Sequence, residues 1–159
     1  KPTYGQKSND GCTDKALPPQ DMTCKVPYQI YFALPENVKS TSNWGDGGVA
    51  FLRNVKSKNF SLGRMWKVTK AQYEDIRNQE GRRWYDKEIF LGTEDDISIY
   101  TITNSKDLNN ILPPFAAYLK TMIEGLSESF NMRLEDIVDY LMKLDGVKGK
   151  IQGEDLLKI

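Results

Sequence analysis

The order of apolar periods along the chain leaves few folds open, because strand-like segments come first, one short helical segment interrupts them, and the remainder is helical. "VPYQIYFAL" (26–34) has the aromatic and β-branched content of a strand, which Pro35 ends. A polar, glycine-rich connection (36–48) leads to the strand "VAFLRN", so these two segments are expected to pair as a hairpin with a long loop. "SLGRMWKV" (61–68) alternates as a further strand. "RRWYDKEIFLG" and "DISIYTIT" read as two more, separated by the turn "GTEDD". Between them, Thr69 and Gln72 form a capping box and Gly81 supplies a stop, predicting a helix over Lys70–Glu80. Phe115, Tyr118, Leu119, Met122, Ile123 and Leu126 share one helical face after Pro114, with Tyr118 turned inward. Leu134, Ile137, Val138, Leu141 and Met142 share a second face, and Gly146 lies near that helix's end. The order implies an α+β fold with a mostly antiparallel sheet, a short inserted helix and C-terminal helices, in one domain spanning 1–159. Residues 1–25 are rich in turn formers and read as loop with one short strand or helical turn.

Composition narrows the chemistry. The formal net charge is zero, which argues against a nucleic-acid or membrane-surface partner, and the apolar runs are too short for a membrane helix, so a soluble protein is expected. The chain has no histidine, which removes Ser-His triads, Cys-His dyads and nearly all catalytic zinc sites, and leaves acid–base work to a carboxylate, Lys, Tyr or amine. Cys12 and Cys24 define no disulfide framework or metal cluster and read as free thiols, with pairing as the alternative. The "NFS" at Asn59 is a chance glycosylation match. The expected compartment is the cytoplasm, with export left open by a first residue, Lys1, that is not an initiator Met.

One residue is out of place. Glu80 falls in the last turn of its helix, where unpaired carbonyls carry partial negative charge, and it follows Tyr73 and Ile76 on the apolar stripe. Both the helix end and an inward orientation disfavour the ionised carboxylate and raise its pKa, giving a group able to exchange protons near neutral pH. The competing local reading is a surface ion pair with Arg77, Arg82 or Arg83. Asp86, Glu88, Glu94, Asp95 and Asp96 read as solvated strand and turn positions rather than a metal site.

The text around Glu80 resembles the gamma-glutamylcyclotransferase family. In that family an aromatic strand leads through a polar loop to a motif of Trp, paired glycines and Ala, then to a strand ending Trp-x-Val, a short helix closed by Gln-Glu-Gly, and a Tyr soon after. Here these are "YQIYF", then Trp44, Gly47, Gly48 and Ala50, then "MWKV", "NQEG" and Tyr85, while "PPFAAYLKTMIEGL" matches a later segment with Tyr118 and Gly125. The likeness covers about residues 26–130 and rests on the order and spacing of motifs.

The resemblance implies a mixed, mostly antiparallel β-barrel and a catalytic Glu80. The implied reaction releases 5-oxoproline from a gamma-glutamyl compound: the substrate's α-amine attacks its own γ-carbonyl, closes a lactam and expels an amine. Both reacting groups belong to one molecule, so the enzyme supplies a folded substrate and a proton carrier, and neither cofactor nor metal is implied. The implied substrate-binding residues are Tyr4, Gly5, Gln6, Lys7, Tyr85 and Tyr118, and the implied partner is a small gamma-glutamyl molecule bound by a monomer or homodimer. For Tyr85 and Tyr118, core packing is the alternative, and for Trp44 and its glycines a structural turn is preferred. "PTYGQKSND" keeps the family's Tyr-Gly but has Gln6 and Lys7, or two extra residues before Ser8 and Asn9, where Ser-Asn is expected. Either substrate preference has shifted or the chain is a binding relative without activity.

Overall fold

The computed structural model describes residues 3–4, 7–8, 10–36, 45 and 47–159. Trp44, Gly5 and Gln6, singled out above, lie outside the described residues. The elements run β1 (Thr3–Tyr4), β2 (Lys7–Ser8), β3 (Asp21–Ala33), β4 (Val49–Trp66), α1 (Lys70–Glu80), β5 (Lys87–Glu94), β6 (Ile97–Thr103), α2 (Ala116–Phe130), α3 (Leu134–Leu141) and α4 (Gly153–Leu156). The fold is α+β, with antiparallel pairs β1–β2, β3–β4 and β5–β6.

The long-loop hairpin forms, with Ala33 opposite Val49 and Tyr28 opposite Lys56. Two segments expected as separate strands, "VAFLRN" and "SLGRMWKV", are one strand. Between Val26 and Tyr28, β3 advances two residues while β4 runs from Ser61 to Lys56, and the surplus bulges out. Ser61 closes this gap: its hydroxyl accepts from Ile30 N–H at 2.9 Å and donates to Tyr28 O at 2.6 Å, both groups lacking a ladder partner there. β3 also begins earlier than expected, at Asp21 rather than Val26.

"RRWY" is not strand. After Gly81 the chain turns back, with Trp84 N–H and Tyr85 N–H both donating to Gly81 O at 3.0 Å, and β5 starts only at Lys87. The β5–β6 turn holds Asp95 and Asp96 at φ 47° and 62°, the left-handed pair that a two-residue hairpin loop requires.

Side chains, not another strand, complete the outer edge of β4. Ala50 N–H donates to the Tyr118 hydroxyl and Ala50 O accepts from Tyr85; Leu52 N–H and O both bond Thr103 Oγ1; Asn54 N–H donates to Asp107. With those groups satisfied, the described strands remain three two-stranded ladders and do not close.

The opposite edge of β3 is covered by irregular chain. Phe32 N–H donates to Asp145 O, Leu112 N–H to Phe32 O, and Leu34 N–H to Asn110 O. Phe32 packs among Leu119, Leu126, Ile137, Leu141 and Leu156 from the C-terminal helices, while Tyr31 and Ala33 pack with Val49 and Phe51 on the other side. The tail joins the core, with Val147 and Leu156 fully buried. No helix among the described residues is long and apolar enough to cross a membrane.

Gly47 and Gly48 are glycines because of the segment beside them: a Cβ on Gly48 would lie 2.2 Å from Leu112 O, and one on Gly47 would lie 2.8 Å from Phe115 N. Gly48→Ala is therefore expected to destabilise by about 1–3 kcal/mol or more, whereas Gly125→Ala, in open space inside α2, is expected to stabilise by up to about 1 kcal/mol. Urea denaturation of both variants checks this, and equal stabilities would contradict the close approach.

Candidate functional site

Local chemistry places Glu80. Thr69 caps α1 in extended conformation (φ −71°, ψ 161°); its hydroxyl accepts from Gln72 N–H at 3.1 Å, and its own N–H donates to Gln72 Oε1 at 3.0 Å. Gly81, at φ 87°, ends the helix directly after Glu80, a conformation that side chains disfavour. Helix start and stop therefore fix Glu80 at the carbonyl end.

The turn after Gly81 brings Tyr85 against the β3–β4 ladder. Its ring stacks on Phe51 (4.8 Å between centroids, 22°), and its hydroxyl donates to Ala50 O at 3.0 Å. Tyr118, from α2, approaches the same residue: Ala50 N–H donates to its hydroxyl at 3.1 Å, and its ring meets Phe32 edge-on. Two phenols expected to line a site thus bracket one backbone unit. Both rings also pack against the core, the alternative reading of these residues, and both hydroxyls are engaged by the Ala50 backbone.

Glu80 shares this neighbourhood electrically. Burial raises the pKa of Tyr85, and so do Tyr118, Glu80 and Tyr31; for Tyr118, burial raises it, the Ala50 hydrogen bond opposes, and Glu80 raises it further. A carboxylate felt by both phenols lies near both. Its own pKa is raised, and desolvation is the cause. Glu80 as a residue is nonetheless exposed, so water still reaches it and moderates the shift without reversing it.

The competing ion pairs go elsewhere. Arg77 lies 3.5 Å from Glu88, and Arg82 is held by Glu74 and Asn78, so among the described residues Glu80 has no cationic partner. Tyr73, expected on an apolar stripe, instead donates its hydroxyl to Glu88 at 2.6 Å. The only buried residue of α1 is Gln72. Sequence reasoning gave Gln72 a capping role alone and gave Asp75 none. The structure adds contacts from both to residues 13–16, and a long-range contact of this kind has no local signal.

Tyr4 and Lys7 are backbone partners in the β1–β2 register. Cys12 and Cys24 are free thiols. Among the described residues no group of three or more His, Cys, Asp or Glu side chains is arranged for a metal. Asp86 accepts from the Ser105 N–H and hydroxyl, and Glu88 from Tyr73, which accounts for two of the acidic residues.

No family model and no solved structure matches the chain. Among curated proteins it is similar to histone deacetylase 5 of Arabidopsis thaliana, 25% identical over 174 aligned residues that cover 84% of this chain and 26% of that protein. The chain thus spans about a quarter of the length of that relative.

The raised Glu80 pKa has a signed consequence for stability. A carboxyl whose folded pKa exceeds its unfolded value of about 4.3 contributes fully at lower pH and loses that contribution as pH rises through the folded pKa. The stability of wild type relative to Glu80→Gln is therefore expected to fall from pH 4 upward and then level off. Urea titrations of both proteins between about pH 4 and pH 8 test this, and a pH-independent difference contradicts it.

Proposed function

We propose that this chain is a gamma-glutamylcyclotransferase-like lyase in which Glu80 carries the proton. The observation that carries the reading is a carboxyl at a helix end, without a cationic partner among the described residues, whose pKa burial raises and whose charge raises those of the Tyr85 and Tyr118 phenols. Lactam formation from a gamma-glutamyl compound begins with loss of a proton from the substrate ammonium and ends with delivery of a proton to the departing nitrogen. One carboxyl poised between its two forms serves both steps.

In this reading Tyr85 and Tyr118 keep the Ala50 backbone fixed. Tyr4, Gly5, Gln6 and Lys7, which match the family's substrate loop in sequence, are assigned to the substrate's polar groups. The departure of this stretch from the family's Ser-Asn, as Gln6 and Lys7 or as two extra residues before Ser8 and Asn9, supports a substrate that differs from the family's usual ones. The finer fold reading belongs here too: the bonds of Thr103 to Leu52 join β6 to β4, and this link supports a barrel-like arrangement of the two large ladders. Deacetylation is the named activity of the Arabidopsis relative, and a match to a quarter of its length does not carry that activity to this chain.

Incubation with a panel of gamma-glutamyl peptides and amines, followed by mass spectrometry, should yield 5-oxoproline with wild type and at least about 100-fold less with Glu80→Gln. The acid limb of kcat/KM should fall above the ordinary carboxylate pKa, because the base must be ionised in the free enzyme. Ligand binding without product would point to a non-catalytic relative. Equal turnover by Glu80→Gln would remove Glu80 from the role.

A further inference from the structure

Tyr73 and Arg77 lie one turn apart on the same face of α1, and both reach the β5–β6 hairpin. The Tyr73 ring centroid lies 6.2 Å from that of Tyr100, which in turn lies 5.5 Å from that of Phe90. The Tyr73 hydroxyl donates to Glu88 at 2.6 Å. The same carboxylate, opposite Ile102 in the β5–β6 register, receives the Arg77 guanidinium at 3.5 Å. The electrostatics follow this grouping: burial raises the Tyr73 pKa, the hydrogen bond and charge of Glu88 raise it further, Arg77 lowers it and Glu74 raises it.

Among the described residues Glu88 is the ion-pair partner of Arg77, and its hold is incomplete. The Arg77 side chain is 15% exposed, and its Nε is buried with no hydrogen-bond acceptor among the described residues. A buried donor without a partner disfavours this placement, and the Glu88 carboxylate offsets that cost. Without it, two carboxylates lie within one helical turn of Arg77: Glu74 three residues before and Glu80 three residues after, each about 5–6 Å away between Cβ atoms. Glu74 is already held by Arg82. Glu80 has no cationic partner among the described residues; the groups that share its field are the phenols of Tyr85, from the turn after α1, and Tyr118, from α2, and Arg83 makes no ion pair with it. The vacant choice for a released guanidinium is therefore Glu80.

We infer that Glu88 is a positioning residue that holds the Arg77 guanidinium on the β5–β6 hairpin and so keeps it from pairing with Glu80. The consequence for turnover rests on the lyase reading; the restraint on Arg77 does not. The test compares wild type with Glu88→Gln, which keeps an acceptor oxygen for Tyr73 but removes the charge that holds Arg77, and with the double variant Arg77→Gln/Glu88→Gln, which has the same net charge as wild type. In each protein the Glu80 carboxyl and the Arg77 Nε–H are followed by NMR through a pH titration, alongside the pH profile of 5-oxoproline formation.

Glu88→Gln should lower the Glu80 midpoint by about 0.3–1 pH unit, the range of a solvent-screened pair, and the Arg77 Nε–H signal should then follow that midpoint, which it does not in wild type. The double variant should return the midpoint to the wild-type value. The acid limb of kcat/KM should move to lower pH by the same interval in Glu88→Gln and return in the double variant. A general loosening of α1 would not be reversed by removing a second side chain. A Glu80 midpoint unchanged in Glu88→Gln, a midpoint equally low in the double variant, or an Nε–H signal that ignores the Glu80 titration in Glu88→Gln each overturns the inference. Failure of wild type to turn over any substrate overturns the lyase reading alone, because the titrations still decide the restraint on Arg77.

Discussion

The double-sided pairing of Tyr31, Phe32 and Ala33 is the constraint on which the rest of the molecule depends. All three residues are essentially inaccessible to solvent. Their backbone is hydrogen-bonded to β4 on one edge and to the 110–112 segment and Asp145 on the other. A buried strand with an open edge would leave polar groups unpaired at a cost of about 1–3 kcal/mol each. The irregular chain at 109–113 and the tight turn at Gly146 meet that need, and this requirement explains the glycines. A Cβ on Gly146 would lie 2.7 Å from Phe32 Cβ, just as one on Gly48 would strike Leu112 O. Once the edges are filled, alternation along β3 divides the interior. Phe32 faces the C-terminal helices, and Tyr31 and Ala33 face the layer that contains Phe51, Trp84 and Tyr85.

The candidate site inherits its rigidity from that strand. Ala50 lies opposite Phe32 in the ladder, and its two outward backbone groups are taken by the Tyr118 and Tyr85 hydroxyls. Two elements more than thirty residues apart in sequence, the turn after α1 and the start of α2, are thereby referenced to one residue. Glu80 precedes that turn by a single glycine, so its distance from both phenols is set by the same attachment. The chemistry asked of Glu80 needs this arrangement: a proton carrier works at neutral pH when its surroundings penalise the charged form and offer no permanent cation. Of the arginines nearest in sequence, Arg77 and Arg82 are held by Glu88, Glu74 and Asn78, and among the described residues Arg83 makes no ion pair with Glu80 either.

What the sequence made legible was local. The Thr69–Gln72 cap and the Gly81 stop are encoded within a few residues, and both ends of α1 fall where they were expected. The long-loop hairpin and the faces of α2 and α3 follow from apolar period in the same way. The unbroken length of β4 was hidden because the "VKSKN" stretch is polar and the bulge shifts the register, so alternation cannot be followed through it. Ser61 reads as an ordinary polar residue until Tyr28 and Ile30 are seen to need its hydroxyl. "RRWY" has strand composition, yet the carbonyl of Gly81 captures its amides first. At the site, the caps placed Glu80 at the helix end, whereas the apolar stripe expected to turn it inward is not formed: α1 buries only Gln72, and Glu80 is exposed. The contacts of Gln72 and Asp75 with residues 13–16 join positions about sixty residues apart in sequence and were not readable.

The most direct test of this account is a carbon-detected NMR titration of the Glu80 side-chain carboxyl, assigned by comparison with Glu80→Gln. A midpoint clearly above the ordinary glutamate value of about 4.3, with the Tyr85 and Tyr118 rings responding at the same pH, is the expected result. A midpoint at or below that value, with neither ring responding, would contradict the claim that these three side chains form one proton-handling site.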